Sequence, residues 1–184
     1  MRVIAGKAKS LRLKTIEGMA TRPTTDRIKE TLFNMITNDV VSGRFLDLFA
    51  GSGGIGIEAL SRGATEAVFV EKSSKACAVI KENLSFTHLN TEAKVVCADV
   101  LSYMSAHSDD DPYDLIFMDP PYDQEWEKKV LITLRKTRLA DSYTLIIVEA
   151  SLATDFSYLS EYGYELIKEK KYKTNKHMFI RVKE

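Results

Sequence analysis

The sequence predicts an α/β protein built on a seven-stranded, mostly parallel sheet with helices on both faces, and three observations lead to this class. From residue 44 onwards, short apolar runs of strand length alternate with stretches of helix length, as in parallel sheets covered by helices. The last two runs are separated by only six residues, 171–176, so the last strand should be antiparallel, because a parallel crossover needs a longer link. Two short runs near the start predict an N-terminal β-hairpin extension.

The elements follow in order. Residues 1–184 are expected to form one domain, with an extension over 1–43 and a core over 44–184. In the extension, a hairpin over 2–5 and 11–15 precedes a helix that Thr24 or Thr25 caps. The core strands are predicted at 45–49, 67–71, 94–97, 113–118, 145–149, 164–170 and 177–182, and the core helices near 54–62, 73–88, 99–106 and 124–138.

Composition narrows the class of protein. The 184 residues are 45% hydrophobic and 28% charged, which is typical of a globular domain. Neither an apolar run of roughly 18 residues nor a leader-like stretch is present, so a cytoplasmic protein without membrane contact is expected. Cys77 and Cys97 share no metal-ligand spacing with each other or with a histidine, so they are expected to be reduced and buried, with no metal bound.

The charge is unevenly distributed although its sum is zero. Residues 1–44 hold 9 Lys and Arg against 4 Asp and Glu, residues 45–164 hold 10 against 19, and residues 165–184 hold 7 against 3. The two basic ends would form one positive face for nucleic acid if they met in space, whereas solvated lysines alone would explain the same counts.

A glycine-rich segment, residues 47–56, follows the first core strand. Gly51, Gly53 and Gly56 satisfy the G-x-G-x-x-G pattern between a strand and a helix, where the chain turns tightly and a ligand can approach the backbone. Glu71 ends the second strand, where an acidic side chain can accept hydrogen bonds from ribose hydroxyls. Nicotinamide dinucleotides and S-adenosylmethionine both carry such a ribose.

Two acidic residues favour S-adenosylmethionine. Asp47 lies just before the glycine turn, where it would repel a pyrophosphate but hold the ammonium of the methionine moiety. Asp99 follows the third strand and is placed either to accept from the adenine amino group or to cap the next helix. The predicted cofactor residues are Asp47, Gly51, Ser52, Gly53, Gly56, Glu71, Lys72, Asp99 and Val100.

The segment Asp119-Pro120-Pro121-Tyr122 follows the fourth strand, at the edge of the sheet where ligands bind. An exocyclic amino group of a base is a poor nucleophile until hydrogen-bond acceptors turn its lone pair towards the methyl donor. Asp119 and the carbonyl of Pro120 supply such acceptors in a backbone that proline stiffens, and Tyr122 offers a face for stacking. Asp119, Pro120, Pro121 and Tyr122 are therefore the predicted catalytic residues.

With these motifs the chain resembles the class I methyltransferases that modify amino groups. More closely, it is similar to the RsmD-type family of small-subunit ribosomal RNA guanine-N2 methyltransferases. The resemblance covers nearly the whole chain and rests on residues 2–6, 22–27, 29–34, 47–56, 58–64 and 119–122.

The resemblance implies a Rossmann-like sheet and transfer of a methyl group to N2 of one guanine in 16S ribosomal RNA. It also implies that the ribosomal RNA or the small ribosomal subunit is the partner of a monomer or weak homodimer. Residues implied to contact RNA are Lys7, Lys9, Arg12, Arg22 and Arg27.

Other functions stay open at this point. The Asp119–Tyr122 segment is equally typical of adenine-N6 or cytosine-N4 amino-methyltransferases, although no added domain for reading DNA is evident. The glycine turn with Glu71 alone would also suit a nicotinamide-dependent oxidoreductase. That class, like a non-catalytic RNA-binding module, leaves Asp119–Tyr122 without a role.

Overall fold

The computed structural model describes residues 1–16 and 25–184, and within them one seven-stranded sheet. Its strands are β1 (Arg44–Leu48), β2 (Glu66–Glu71), β3 (Ala93–Cys97), β4 (Leu115–Met118), β5 (Leu145–Ser151), β6 (Tyr164–Lys171) and β7 (Asn175–Val182). They lie in the order β3-β2-β1-β4-β5-β7-β6. Strands β1 to β5 are parallel, and β7 pairs antiparallel with β5 and with β6. The predicted sheet, with its last strand reversed, is confirmed.

Helices cover both faces of the sheet. They are α1 (Asp26–Met35), α2 (Thr37–Val40), α3 (Gly54–Ser61), α4 (Ser74–Thr87), α5 (Val100–Ala106) and α6 (Trp126–Leu134). On one face of the sheet, helices α1, α2, α3 and α4 pack against strand residues such as Phe45 and Phe117. On the other face, α5 and α6 pack against the residues that alternate with these, such as Leu46 and Ile116. Because the central strands are buried on both faces, β4 and the first four residues of β5 are continuous apolar runs. Within the described ranges, no helix is both long enough and apolar enough to cross a membrane.

The N-terminal hairpin is shorter than predicted, and its contacts with α3 explain the difference. Its pairing is a single antiparallel bridge between Arg2 and Arg12. The amides of Ile4 and Ala5 donate instead to the Glu58 carboxylate on α3, at 2.8 and 3.1 Å. Backbone donors that are used in this way cannot extend a strand ladder. The hairpin is therefore held by this buried side chain as well as by backbone hydrogen bonds between its own arms.

Glu58 is the centre of a buried charged cluster that anchors the extension. Its side chain is fully buried and lies 3.2 Å from the Lys29 ammonium, which is also fully buried, and 2.8 Å from Nε of Arg62. Burial lowers the pKa of Lys29, while the adjacent Glu58 carboxylate opposes that shift. Residues 58–64, which carry part of the family resemblance, thus serve to attach the extension to the core.

The tip of the N-terminal hairpin and the turn between β6 and β7 lie at opposite ends of the sheet. Helix α3 begins with Gly54 at the carboxyl ends of the strands and ends with Ser61 at the opposite end of the sheet. The hairpin tip lies at that opposite end, because the Lys7 amide donates to the Ser61 carbonyl. The turn between β6 and β7 lies at the carboxyl end of β5, because Ser151 pairs with Asn175. The basic residues at the hairpin tip therefore do not share a face with those of the β6–β7 turn.

Other predicted elements are found with shifted limits. The sixth helix spans Trp126–Leu134 within the expected 124–138, and β4 begins at Leu115, two residues later than expected. Thr25 caps α1, as its hydroxyl accepts from the Ile28 amide. The expectation of two buried cysteines is wrong for Cys97, which is exposed because it ends the edge strand β3, while Cys77 is buried.

Candidate active site

Acidic side chains are concentrated at the carboxyl ends of the parallel strands. Asp47 on β1 and Glu71 on β2 are buried, and Asp99 follows β3. Asp119 follows β4, and Glu149 lies near the end of β5. Since Met118 pairs with Val148 in register, the next residues, Asp119 and Glu149, are neighbours across the two strands. The sheet therefore places a row of carboxylates at the edge where such folds bind ligands.

A cavity of about 300 Å³ opens at this edge. It lies at the lower end of the size range of small-molecule sites. The glycine turn and the residues after β4 line it together, which brings the two motifs singled out in the sequence to one place. The predicted residues that line it are Asp47, Gly51, Ser52, Glu71, Lys72, Asp99, Val100, Asp119 and Pro121.

The glycine turn owes its shape to two left-handed residues and one carboxylate. Gly51 and Gly53 have φ of +55° and +83°, and Gly53 is the residue from which α3 begins. Glu71 accepts from the Gly51 amide and the Ser73 amide, both at 2.9 Å. Glu71 thus fixes the turn in addition to facing the cavity. Asp99 also has two roles. It lines the cavity, and it caps α5 by accepting hydrogen bonds from the amides of Leu101 and Ser102.

Four of the predicted residues are not among those that line the cavity. Gly53 packs against Ile80, and a Cβ added there would lie 3.2 Å from that side chain. A Cβ added at Gly56 would lie 2.4 Å from the Phe69 ring, so neither position readily accommodates a larger residue. The Gly56 amide donates to Asp47 at 3.0 Å, so this glycine orients the carboxylate through its backbone. Pro120 is buried, and Tyr122 is 39% exposed beside the opening.

Several carboxylates face the cavity, and the pKa values of two of them are raised. Burial raises the pKa of Asp47 to about 7, with the Gly56 amide opposing the shift and the Glu71 charge adding to it. Burial also raises the pKa of Asp119 well above its usual range, and the charges of Glu149 and Asp47 raise it further. A positively charged ligand would relieve this repulsion, while a pyrophosphate would increase it.

Several lining residues had no signal in the sequence. The hairpin and the chain after it bring Met1, Thr15 and Ile16 to the rim, and Trp126 comes from the start of α6. Phe49 lines the cavity with a left-handed φ of +66°, and its ring lies 5.9 Å from that of Trp126. A non-glycine residue in this conformation is typical of a functional turn, yet sequence alone gives no warning of it.

The residues expected to contact RNA are dispersed. Lys7 and Lys9 are exposed at the tip of the hairpin, about 12 Å from the cavity along the eight residues of α3. Arg12 is exposed in the bridge, and Arg27 is exposed on the first turn of α1. Arg22 lies outside the described residues.

Comparison with known proteins identifies the family. Residues 1–181 match the family described as Conserved hypothetical protein 95. YlbH of Bacillus subtilis is 41% identical over 150 residues, which are 81% of this chain and 82% of that protein. Ribosomal RNA small subunit methyltransferase D of Haemophilus influenzae is 32% identical over 171 residues, 92% of this chain and 88% of that enzyme.

Among solved structures, yhhF of Escherichia coli has a TM-score of 0.85 at 28% identity, covering 100% of this chain and 98% of that one. The match of the family model over nearly the whole chain, with relatives above 30% identity, fixes the family. This chain belongs to the Conserved hypothetical protein 95 family, the RsmD family of ribosomal RNA methyltransferases.

Proposed function

We propose that this protein transfers a methyl group from S-adenosylmethionine to the exocyclic N2 of a guanine in small-subunit ribosomal RNA. The observation that carries the proposal is the shared cavity, in which the glycine turn and the Asp119–Pro121 segment face the same space. A donor sulfur held by the first and an acceptor nitrogen held by the second can therefore meet. The names of the relatives support ribosomal RNA as the substrate class.

The residues present fit the cofactor. The row of carboxylates suits a ligand with both an ammonium and a sulfonium, because each ionised carboxylate attracts positive charge. Asp47 would hold the ammonium, and Glu71 and Asp99 would accept from the ribose and the adenine. A dinucleotide would place its pyrophosphate against Asp47, which disfavours the oxidoreductase alternative. When bound, S-adenosylmethionine supplies a methyl group that its sulfonium has already activated.

The acceptor side of the cavity holds and orients the amine. Asp119 and the Pro120 carbonyl accept from the two N–H groups of the target nitrogen, so its lone pair points to the methyl carbon. The two prolines fix this backbone before the base arrives. To be reached, a base within a helix must leave its stack, and the exposed Tyr122 ring offers a surface for it.

The transfer then depends on alignment. A carbon–nitrogen bond forms as the carbon–sulfur bond breaks, the sulfur takes the electron pair of the broken bond, and the nitrogen afterwards loses one proton. Asp119 is the acceptor closest to that proton in the proposed arrangement. Holding both reactants in line provides much of the rate enhancement, because effective molarities of about 10⁵ M or more are reached in well-oriented systems.

The RNA would approach from the carboxyl ends of the strands. Two exposed lysines, Lys171 and Lys173, lie on or next to the β6–β7 turn at this end, and we call them the C-terminal basic pair. Lys7, Lys9 and Arg12, the N-terminal basic set, lie farther along α3 and would meet a more distant part of the RNA. The proposed partner is the ribosomal RNA or the assembled small subunit in the cytoplasm.

The direct test is incubation with labelled S-adenosylmethionine and small ribosomal subunits from a strain that lacks the protein, followed by nucleoside analysis. We expect label in N2-methylguanosine. Label in N6-methyladenosine or N4-methylcytidine would refute the guanine assignment, and absence of label from RNA would refute the substrate class. Calorimetry should show binding of S-adenosylmethionine and of its demethylated product, with little binding of NAD.

A matched pair of variants tests the role of Asp119. Asp119→Asn replaces one acceptor oxygen by a donor, so methyl transfer should fall by about 10²-fold or more while cofactor affinity stays within a few-fold. Asp123→Asn, an exposed acid in the same loop, serves as the control. Equal turnover in the two variants would remove Asp119 from the mechanism.

A further inference from the structure

Glu149 is a buried carboxylate next to Asp119 that the proposed mechanism does not use. Its side chain is only slightly exposed, and within the described part of the chain three side chains from other elements lie within hydrogen-bonding distance of it. Asn175 Nδ2 donates to Oε1 at 2.6 Å, His177 Nε2 lies 3.1 Å from Oε2, and the Tyr122 hydroxyl donates to Oε1 at 3.3 Å. Two of these partners come from β7 and the third from the Asp119–Tyr122 segment.

The partners from β7 are themselves fixed in place. His177 is fully buried, and its ring lies edge-on to Phe117, which lines the cavity. A carboxylate accepts only, so Nε2 carries the proton, and Nδ1 is left to accept from the Tyr172 hydroxyl at 3.4 Å. Asn175 must turn its amide nitrogen to Glu149 for the same reason. Glu149 is therefore held in one orientation from behind.

The hydrogen bond to Glu149 determines where the Tyr122 ring lies. Tyr122 is 39% exposed and directly follows Pro121, which lines the cavity, while its hydroxyl donates to a buried carboxylate. Burial and the charges of Glu149 and Asp119 raise the pKa of Tyr122, so the hydroxyl stays protonated and donates. An exposed aromatic ring anchored at its far end is a preformed flat surface, which loses little freedom when a base stacks on it.

We propose that Glu149 is a positioning residue of the acceptor site, which fixes the Tyr122 ring for the target base and is itself oriented by His177 and Asn175. This inference rests on the proposed function, because it assigns Tyr122 to the incoming base. It extends the proposed function because it adds two residues of β7, the strand that pairs with β5 on the side away from β4, to the acceptor site. A purely structural role for Glu149, joining β7 to β5, is the alternative that the experiment must separate.

A double-mutant cycle makes that separation. Tyr122→Phe removes only the hydroxyl that Glu149 holds, and Glu149→Gln removes its charge. Each should lower kcat by about tenfold with the S-adenosylmethionine Kd unchanged, and the double variant should be no worse than the poorer single variant, because both changes break one link. Tyr143→Phe, at an 81% exposed tyrosine, is the matched control and should be fully active.

The pH profile measures the effect of the Glu149 charge on Asp119 separately from the hydrogen bond to Tyr122. The Glu149 charge helps to raise the pKa of Asp119, after burial and together with Asp47. Glu149→Gln should therefore move the acid limb of kcat/KM to lower pH, while Tyr122→Phe leaves the limb in place. Losses of kcat that multiply in the double variant, or an S-adenosylmethionine Kd that weakens in step with kcat, would overturn the inference.

Two outcomes keep this inference distinct from the proposed function. If the wild-type protein methylates ribosomal RNA and Tyr122→Phe retains full kcat, the positioning role of Glu149 fails and the proposed function stands. Since Tyr122 is exposed, that variant also decides the matter if Glu149→Gln does not fold. If the wild-type protein transfers no methyl group to RNA, the proposed function fails and the inference falls with it.

Discussion

Cofactor affinity should depend on pH through Asp47, because a buried carboxylate with a pKa of about 7 must lose its proton to hold an ammonium. An ammonium beside Asp47 favours the ionised form, so ligand binding below that pKa releases a proton. The Kd should then rise as the pH falls, approaching about tenfold per pH unit well below about 7, which is about fifteenfold between about pH 7 and pH 5.5. Above about pH 7 the dependence on Asp47 should level off.

Isothermal calorimetry between about pH 5.5 and pH 7.5 measures this, within the range where an α-ammonium stays protonated. S-adenosylhomocysteine isolates the contribution of Asp47, since it keeps the ammonium and lacks the sulfonium that would also act on Asp119. Asp47→Asn keeps an oxygen for the Gly56 amide but does not titrate, so its Kd should be nearly independent of pH. A flat profile for the wild type, or a wild-type slope in Asp47→Asn, would refute the reasoning.

The same raised pKa predicts how the free protein responds to pH. Asp47 binds its proton more tightly in the folded state than in the unfolded chain, where its pKa is about 3.9. Its contribution to stability is therefore fully present below about pH 4 and is lost as the pH rises through about 7. A bound ammonium offsets that loss, so the gain in Tm on adding S-adenosylhomocysteine should be larger at neutral than at acidic pH.

Two further predictions concern the N-terminal hairpin and the RNA surface. Gly6→Ala would put a Cβ 1.8 Å from the Ser61 carbonyl oxygen at a φ of +80°, so urea unfolding should show a loss of about 3 kcal/mol. Gly63→Ala, with a φ of +106° and open space around it, should cost only about 1 kcal/mol, and equal losses would contradict the role of docking. Neutralising the C-terminal basic pair should weaken RNA binding and flatten its salt dependence by about two phosphate contacts. Neutralising the N-terminal basic set serves as the comparison, and a salt slope unchanged by the C-terminal change would move the RNA surface elsewhere.

The sequence was sufficient for the fold class and for half of the site because both depend on local patterns. Continuous apolar runs identify strands that are buried on both faces, and a short link before β7 identifies a reversed strand. Since the carboxyl ends of parallel strands share one edge, the glycine turn and Asp119 had to open towards the same side of the sheet. The structure brings them to one cavity.

Only the tertiary structure decided which distant residues complete the site. The insertion of β7 between β5 and β6 sets His177 and Asn175 against Glu149, 28 and 26 residues earlier in the chain. The attachment of the hairpin to Glu58 carries Ile16 to the cavity and the N-terminal basic set to the far end of α3. Local periodicity reports how deeply a residue is buried, whereas these contacts depend on strand order and on buried charge pairing, which no single stretch of sequence encodes.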